Sequence, residues 1–156
     1  MRLLAIDPAS YSTGLAIFDN GVLQFAFTTQ VSVKEPQARR LAMAQQIYAV
    51  VVDQRPSVVA CEEPSIQGRN GNAMHRLLGM IEFLSETPVN YVHPMTLKAF
   101  FGSGKLDKFE MALAAGEMLK TDAEKEMIAQ FIEREEWDAT DAICVGLAYL
   151  SKKAAN

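Results

Sequence analysis

The sequence predicts an α/β fold in which helices flank a mixed five-stranded sheet, an antiparallel meander first and parallel strands after it. Three observations predict it. Apolar, β-rich runs fill residues 3–30 and are broken by turn residues. Two further short β-branched runs, Val58 to Cys61 and Val89 to Val92, are each preceded by a segment with helical apolar spacing, and everything after Pro94 reads as helix. The resulting order is β-β-β-α-β-α-β-α-α.

Taken in order, Leu3 to Ile6 is continuously apolar and reads as a central strand. Gly14 to Phe18 reads as the second strand, reached through the polar loop that follows Asp7. Asp19-Asn20-Gly21 is a hairpin signal, because Asn-Gly tolerates positive φ, and Val22 to Gln30 follows as the third strand. Pro36 near a helix start, then Leu41, Ala44, Ile47, Tyr48, Val51 and Val52, predicts a helix ending around Asp53 to Arg55 with those residues as its apolar stripe. Val58 to Cys61 follows Pro56, is too short for a helix and is rich in valine, so it reads as a buried strand. Glu63 to Gly71 is a loop. A second amphipathic helix carries Ala73, Leu77, Met80, Ile81 and Leu84 on one face. After the strand Val89 to Val92, helices are expected over Lys108 to Leu119, Met127 to Ile132 and Trp137 to Tyr149.

At 156 residues the chain suits one domain, residues 1–156, burying roughly 70% of its unfolded surface. No apolar stretch approaches the ~20 residues that span a bilayer, and Leu3 to Ile6 is too short for a signal sequence, so a cytoplasmic protein with no membrane partner is expected. Cys61 and Cys144 lie inside apolar runs and read as small buried hydrophobes. No Cys/His spacing suits zinc. Net charge is −4, from 15 basic and 19 acidic residues. Without Asp7, Glu62, Asp138 and Asp141 the balance is 15 to 15, and Lys120 to Trp137 holds six more acids against three bases, so the remaining surface is locally more basic than the total suggests.

Those four acids carry the chemistry. Asp7 and Glu62 end two apolar strands, where open α/β sheets place their ligands. Asp138 and Asp141 are three apart on one helix face, with Ala139, Ala142 and Gly146 small enough to let that helix approach the sheet. Taken singly, Asp7 reads as a loop cap and Asp138 as a helix N-terminal acid favoured by the dipole. Asp141, in an apolar surround, fits neither description. Glu63 competes with Glu62, but strand alternation sends the two to opposite faces. Converging carboxylates need a compensating cation, and hard oxygen donors favour Mg²⁺, with Mn²⁺ as a substitute. Two ions per site would serve in-line phosphodiester displacement, the chemistry of a nuclease.

Asp7-Pro8, Ser10 and Thr13-Gly14, then Ala60-Cys61-Glu62, then Asp138-Ala139-Thr140-Asp141-Ala142 resemble, in order and spacing, the RuvC Holliday junction resolvases of the ribonuclease H-like superfamily. The resemblance spans residues 1 to about 150. It implies that Asp7, Glu62, Asp138 and Asp141 are the catalytic metal ligands. It also implies that a homodimer binds a four-way DNA junction and nicks two opposed strands, leaving 5′-phosphate and 3′-hydroxyl ends. By resemblance, Lys98 and Lys108 contact DNA, with Lys105, Arg69 and Arg76 as further candidates. The helix Ala73 to Ser85 would build the dimer interface, with Met74, Leu78 and Ile81 as the contact set or, on the ordinary reading, as a buried face. The chain departs from the family pattern at Ala9, where glycine is usual, and at Tyr11, where a basic residue is common. Ser65, Ile66 and Gln67 stand where some members carry an aromatic. The rival readings are a nuclease for flaps, forks or structured RNA, a sugar-kinase or actin-like ATPase, and a junction-binding module without activity. The ATPase lacks its Gly-rich phosphate loop here, and Gly104-Lys105 is not one.

Overall fold

Residues 2–30 fold as a meander because their apolar runs alternate toward two sides and their turns supply the φ angles a hairpin needs. Asn20 (φ 50°) and Gly21 (φ 77°) are both left-handed and join Asp19 to its partner Val22, the geometry of a two-residue hairpin. The computed structural model describes residues 1–64 and 71–154. Strands β1 (Arg2–Asp7), β2 (Ser12–Asp19), β3 (Val22–Gln30), β4 (Val58–Glu62) and β5 (Val89–Val92) form one sheet in the order β3-β2-β1-β4-β5. The first three strands pair antiparallel, whereas β1–β4 and β4–β5 are parallel. This is the expected mixed sheet.

Alternation along β1 builds two cores. Leu4 and Ile6, with Leu15 and Ile17 of β2, pack under α1 (Pro36–Gln54) and α2 (Gly71–Ser85). Leu3 and Ala5, with Ala16 and Phe18, pack on the other side beneath α3 (Pro94–Phe100), α4 (Lys108–Met118), α5 (Asp122–Glu133) and α6 (Trp137–Ala154). The region after β5 thus holds four helices, the three listed from the sequence and the short α3 before them. Reciprocal capping boxes, Asp107 with Glu110 and Thr121 with Glu124, start α4 and α5. Glu124 is also buried against the sheet, accepting from the Leu23 amide at 2.6 Å, so part of the acidic cluster is structural.

The stripe expected on α1 is corrected. Glu35 caps the helix and Arg55 closes it at φ 46°, as the boundaries predict, but the buried face is Met43, Ala44, Ile47 and Val51. Leu41, Tyr48 and Val52 are 49%, 40% and 53% exposed. A second correction concerns α2. Met74, Leu78 and Ile81 are buried in the α1–α2 core, so they are not available as a dimer contact set. Both cysteines are buried and free. Among the described residues no helix is long and apolar enough to cross a membrane.

Candidate active site

The two strand-end acids are neighbours by register. β1 and β4 pair in parallel up to Ile6↔Cys61, so the next residues along the two strands are Asp7 and Glu62. Alternation gives both the same face as Leu3, Ala5 and Ala60, the face covered by α6. On its other side Asp7 pairs with Gly14 of β2. Gly14 is what brings the helix acids in. A Cβ there would lie 1.7 Å from the Asp138 carbonyl oxygen, so only glycine lets the first turn of α6 rest on β2 beside Asp7. Gly146 allows the same approach farther along, where a Cβ would meet the Phe18 ring at 2.2 Å.

The cleft so formed is about 470 Å³ and is lined by Asp7, Glu62 and Asp141, by Lys98 and Leu97 of α3, and by Lys108 and Met111 of α4. Asp138 lies beside it, its carboxylate accepting from the Ser12 hydroxyl. Lys108 donates to the Asp141 carboxylate at 2.5 Å. The electrostatics are those of acids short of counter-charge. Burial pushes the Asp7 carboxyl up to about 8, and the negative charges of Asp141 and Glu62 add to it, with Lys108 offsetting only part. Glu62 and Asp141 are raised too, chiefly by burial, with Lys108 working in the opposite sense on both. On Lys108, burial works against the charged form, yet the Asp141 hydrogen bond and the surrounding acids leave it raised.

The donors are all carboxylate oxygens, which is the chemistry a hard divalent cation needs. They are not preassembled. Among the described residues no three acidic, histidine or cysteine side chains are grouped closely enough to hold an ion. Lys108 takes part of Asp141, and Ser12 takes part of Asp138.

Placement of the remaining candidates varies. Lys98 and Lys108 reach the cleft. Lys105 is exposed in the loop before α4. Arg76 lies on the outer face of α2, in a groove with Arg40, Gly79 and Phe83, away from the cleft. Arg69, with Ser65, Ile66 and Gln67, lies outside the described residues. Glu63 points into a separate groove along β5 with Tyr91, His93 and Tyr149. Exchanging the two glutamates therefore separates them. For the metal-dependent nuclease expected from the sequence, Glu62→Gln should reduce strand cleavage at least about a hundredfold and Glu63→Gln change it less than about threefold; equal losses in a nicking assay would contradict the register.

Ser12 escaped the sequence reading, and Thr13-Gly14 entered it only as part of the motif, with no role given. Ser12 orients Asp138, Gly14 admits α6, and Thr13, fully buried, both donates to the Ala9 carbonyl at 2.7 Å and accepts from the Ala9 amide. The Thr13 clasp closes the loop after Asp7. Ala9 is not among the positive-φ residues, so alanine sits there without strain.

No family model and no curated protein matches the sequence. Solved structures share the fold. RuvC from Thermus thermophilus superposes with a TM-score of 0.68 over 95% of this chain and 92% of its own, at 23% identity. RuvC of T. thermophilus in complex with a Holliday junction substrate gives 0.69 over 95% and 91%, at 20% identity. A fowlpox virus resolvase with its Holliday junction DNA gives 0.66 over 97% and 98%, at 14% identity. The chain has the ribonuclease H-like α/β fold of these resolvases.

Proposed function

We propose that this chain is a divalent-metal-dependent endonuclease of branched DNA that cuts four-way junctions as a homodimer. One observation carries the reading. Asp7, Glu62 and Asp141 line a single cleft, and their carboxyls are raised by burial and, in part, by one another, so a bound cation would relieve a cost already present in the fold. The fold shared with resolvases solved on junction DNA supports branched DNA as the substrate class.

Asp7, Glu62, Asp138 and Asp141 would hold Mg²⁺ or Mn²⁺, two ions per site. Such ions would supply polarisation of an attacking water and charge neutralisation at the leaving oxygen. The protein's own groups do the rest. Ser12 keeps the Asp138 carboxylate oriented, and the glycine contact fixes the first turn of α6 against Asp7. Lys108 holds Asp141 and sets its ammonium at the cleft, where it would meet a substrate phosphate. Lys98, at the cleft wall, adds a second phosphate contact.

The homodimer reading rests on α2. With Met74, Leu78 and Ile81 buried, the outer face offers Gly79 and Phe83, the latter 84% exposed, in an open groove with Gln37 and Arg40 of α1. A large exposed aromatic beside a residue without a side chain suits a self-complementary two-fold contact. Phe83→Glu is expected to raise the dimer dissociation constant at least about tenfold in analytical ultracentrifugation, and a variant as dimeric as wild type would reject this face.

Substrate choice is tested by incubating protein and Mg²⁺ with a four-way junction, a flap, a fork, a structured RNA and linear duplex. The reading expects the junction to be cut fastest, with 5′-phosphate and 3′-hydroxyl ends. Faster cutting of flap, fork or RNA would move the substrate while keeping the nuclease. Equal cutting of linear duplex would end the claim of branch selectivity.

A further inference from the structure

Tyr11 occupies the loop between Asp7 and β2, next to Ser12, whose hydroxyl holds Asp138. The ring is 56% exposed, yet its position is fixed. The Tyr11 carbonyl accepts from the Val31 amide at 2.9 Å, and the Arg39 guanidinium of α1 lies over the ring, its Cζ 3.6 Å from the centroid.

Arg39 is the unusual member of the pair. Its residue is only 9% exposed, and its Nε is sealed from solvent without a hydrogen-bond partner. Nη1 donates to the Lys34 carbonyl at 3.1 Å, which leaves the Nη2 end with no acceptor among the described residues. Among the described residues the ion pairs are Arg2–Asp19 and Lys108–Asp141, so no carboxylate is paired with Arg39. The nearby acid, Glu35, gives both carboxylate oxygens to the Gln37 and Ala38 amides at the start of α1. A largely buried guanidinium with an open donor edge, no carboxylate at ion-pair distance and only the field of the nearby Glu35 is costly. Held over an aromatic ring, it is also preorganised for an oxyanion.

Position supplies the anion. The cleft lysines, Lys98 and Lys108, come from helices on the α6 side of the sheet, while Arg39 comes from α1 on the opposite side, and both sets stand at the end of the sheet marked by Asp7. A polyanion crossing that end would meet lysines on one side of the carboxylates and the Tyr11–Arg39 pair on the other. We infer that Tyr11 and Arg39 form a strand-holding site: Arg39 takes a backbone phosphate of the nucleic acid lying in the carboxylate cleft, and the exposed part of the Tyr11 ring takes the adjoining sugar or unpaired base. The inference rests on the nuclease reading and extends it to residues on the far side of the sheet.

The test uses the full chain in Ca²⁺ without Mg²⁺, with a fluorescently labelled four-way junction titrated at several salt concentrations. Arg39→Gln is expected to weaken binding about tenfold and to reduce the salt slope by about one. Tyr11→Ala is expected to weaken it about fivefold or more, and Tyr11→Phe to bind as wild type does. Because Arg39 is buried, Arg39→Lys serves alongside it. Lysine retains charge but not the stacked fork, and should fall between wild type and Arg39→Gln. Thermal unfolding of each variant is recorded, and Tyr11→Ala, at an exposed position, keeps the test open if an arginine variant does not fold. Wild-type affinity and salt slope in folded Tyr11→Ala and Arg39 variants would overturn this site and leave the nuclease intact. A wild-type protein that binds no junction at all would overturn both.

Discussion

Asp7→Asn is expected to abolish strand cleavage, by a thousandfold or more at about 1.4 kcal/mol per tenfold, and at the same time to make the metal-free protein more stable. The second half follows from linkage. The Asp7 carboxyl has an ordinary value of 3.8 and is pushed up to about 8 in the folded chain, first by burial and then by Asp141 and Glu62. The folded state therefore holds a proton that the unfolded state has released, and stability falls as pH rises between 3.8 and about 8. Below that window both states are protonated and the group contributes no difference. Above it both are ionised and the full destabilisation is present. Asparagine has no charge to bury, so in EDTA at pH 8 the variant should melt at least about 4 °C above wild type, and at pH 4 the two should coincide. Mg²⁺ should then stabilise wild type and not the variant, since only the folded carboxylates bind it. A calorimetric series over pH, with and without Mg²⁺, checks each part. A wild-type melting temperature that rises from pH 5 to pH 8 in EDTA would show that the acids are not under strain.

The second large effect comes from a residue with no side chain. Gly14→Ala puts a methyl group where the Asp138 carbonyl oxygen lies 1.7 Å away, and backbone cannot yield as a flexible side chain can. Either β2 or the first turn of α6 must move. The expected cost is at least about 2 kcal/mol, roughly a 4–8 °C loss in melting temperature. Cleavage should fall further than stability alone explains, about a hundredfold, because a shift of ~1 Å in catalytic groups has effects of that size. Gly146→Ala is the control. Its methyl would strike the Phe18 ring, away from the carboxylates, so it should destabilise while sparing activity in the folded fraction. Equal activity loss in the two variants would show that Gly14 has no special relation to the site.

The strands were legible because their signals are local. Asn20-Gly21 dictates its hairpin, and alternation from Leu3 to Asp7 and from Ala60 to Glu62 already gives the two acids one face. The i, i+3 spacing of Asp138 and Asp141 was equally local. What was not legible depends on distant parts of the chain. Ser12 and Asp138 are 126 positions apart, and Lys108 and Asp141 are 33 apart, so nothing in either neighbourhood announces the pair. The phase of α1 was misread for a different reason. Its apolar residues occupy more than one face, and the sheet selects the Met43 and Ala44 side, leaving Leu41, Tyr48 and Val52 outside. On α2 the sequence left Met74, Leu78 and Ile81 open between a partner contact and a buried face, and the chain's own α1 covers them.

Labelling each strand of one four-way junction in turn decides whether these four acids make a metal-dependent junction nuclease. Wild-type protein is expected to leave the junction uncut in EDTA and, with Mg²⁺, to make paired nicks in two opposed strands whose ends are joined again by DNA ligase, with none from Asp7→Asn. Mg²⁺-dependent nicks that persist undiminished in Asp7→Asn, or a junction left whole by folded, junction-bound wild type in Mg²⁺ and in Mn²⁺, would contradict that role for the acids.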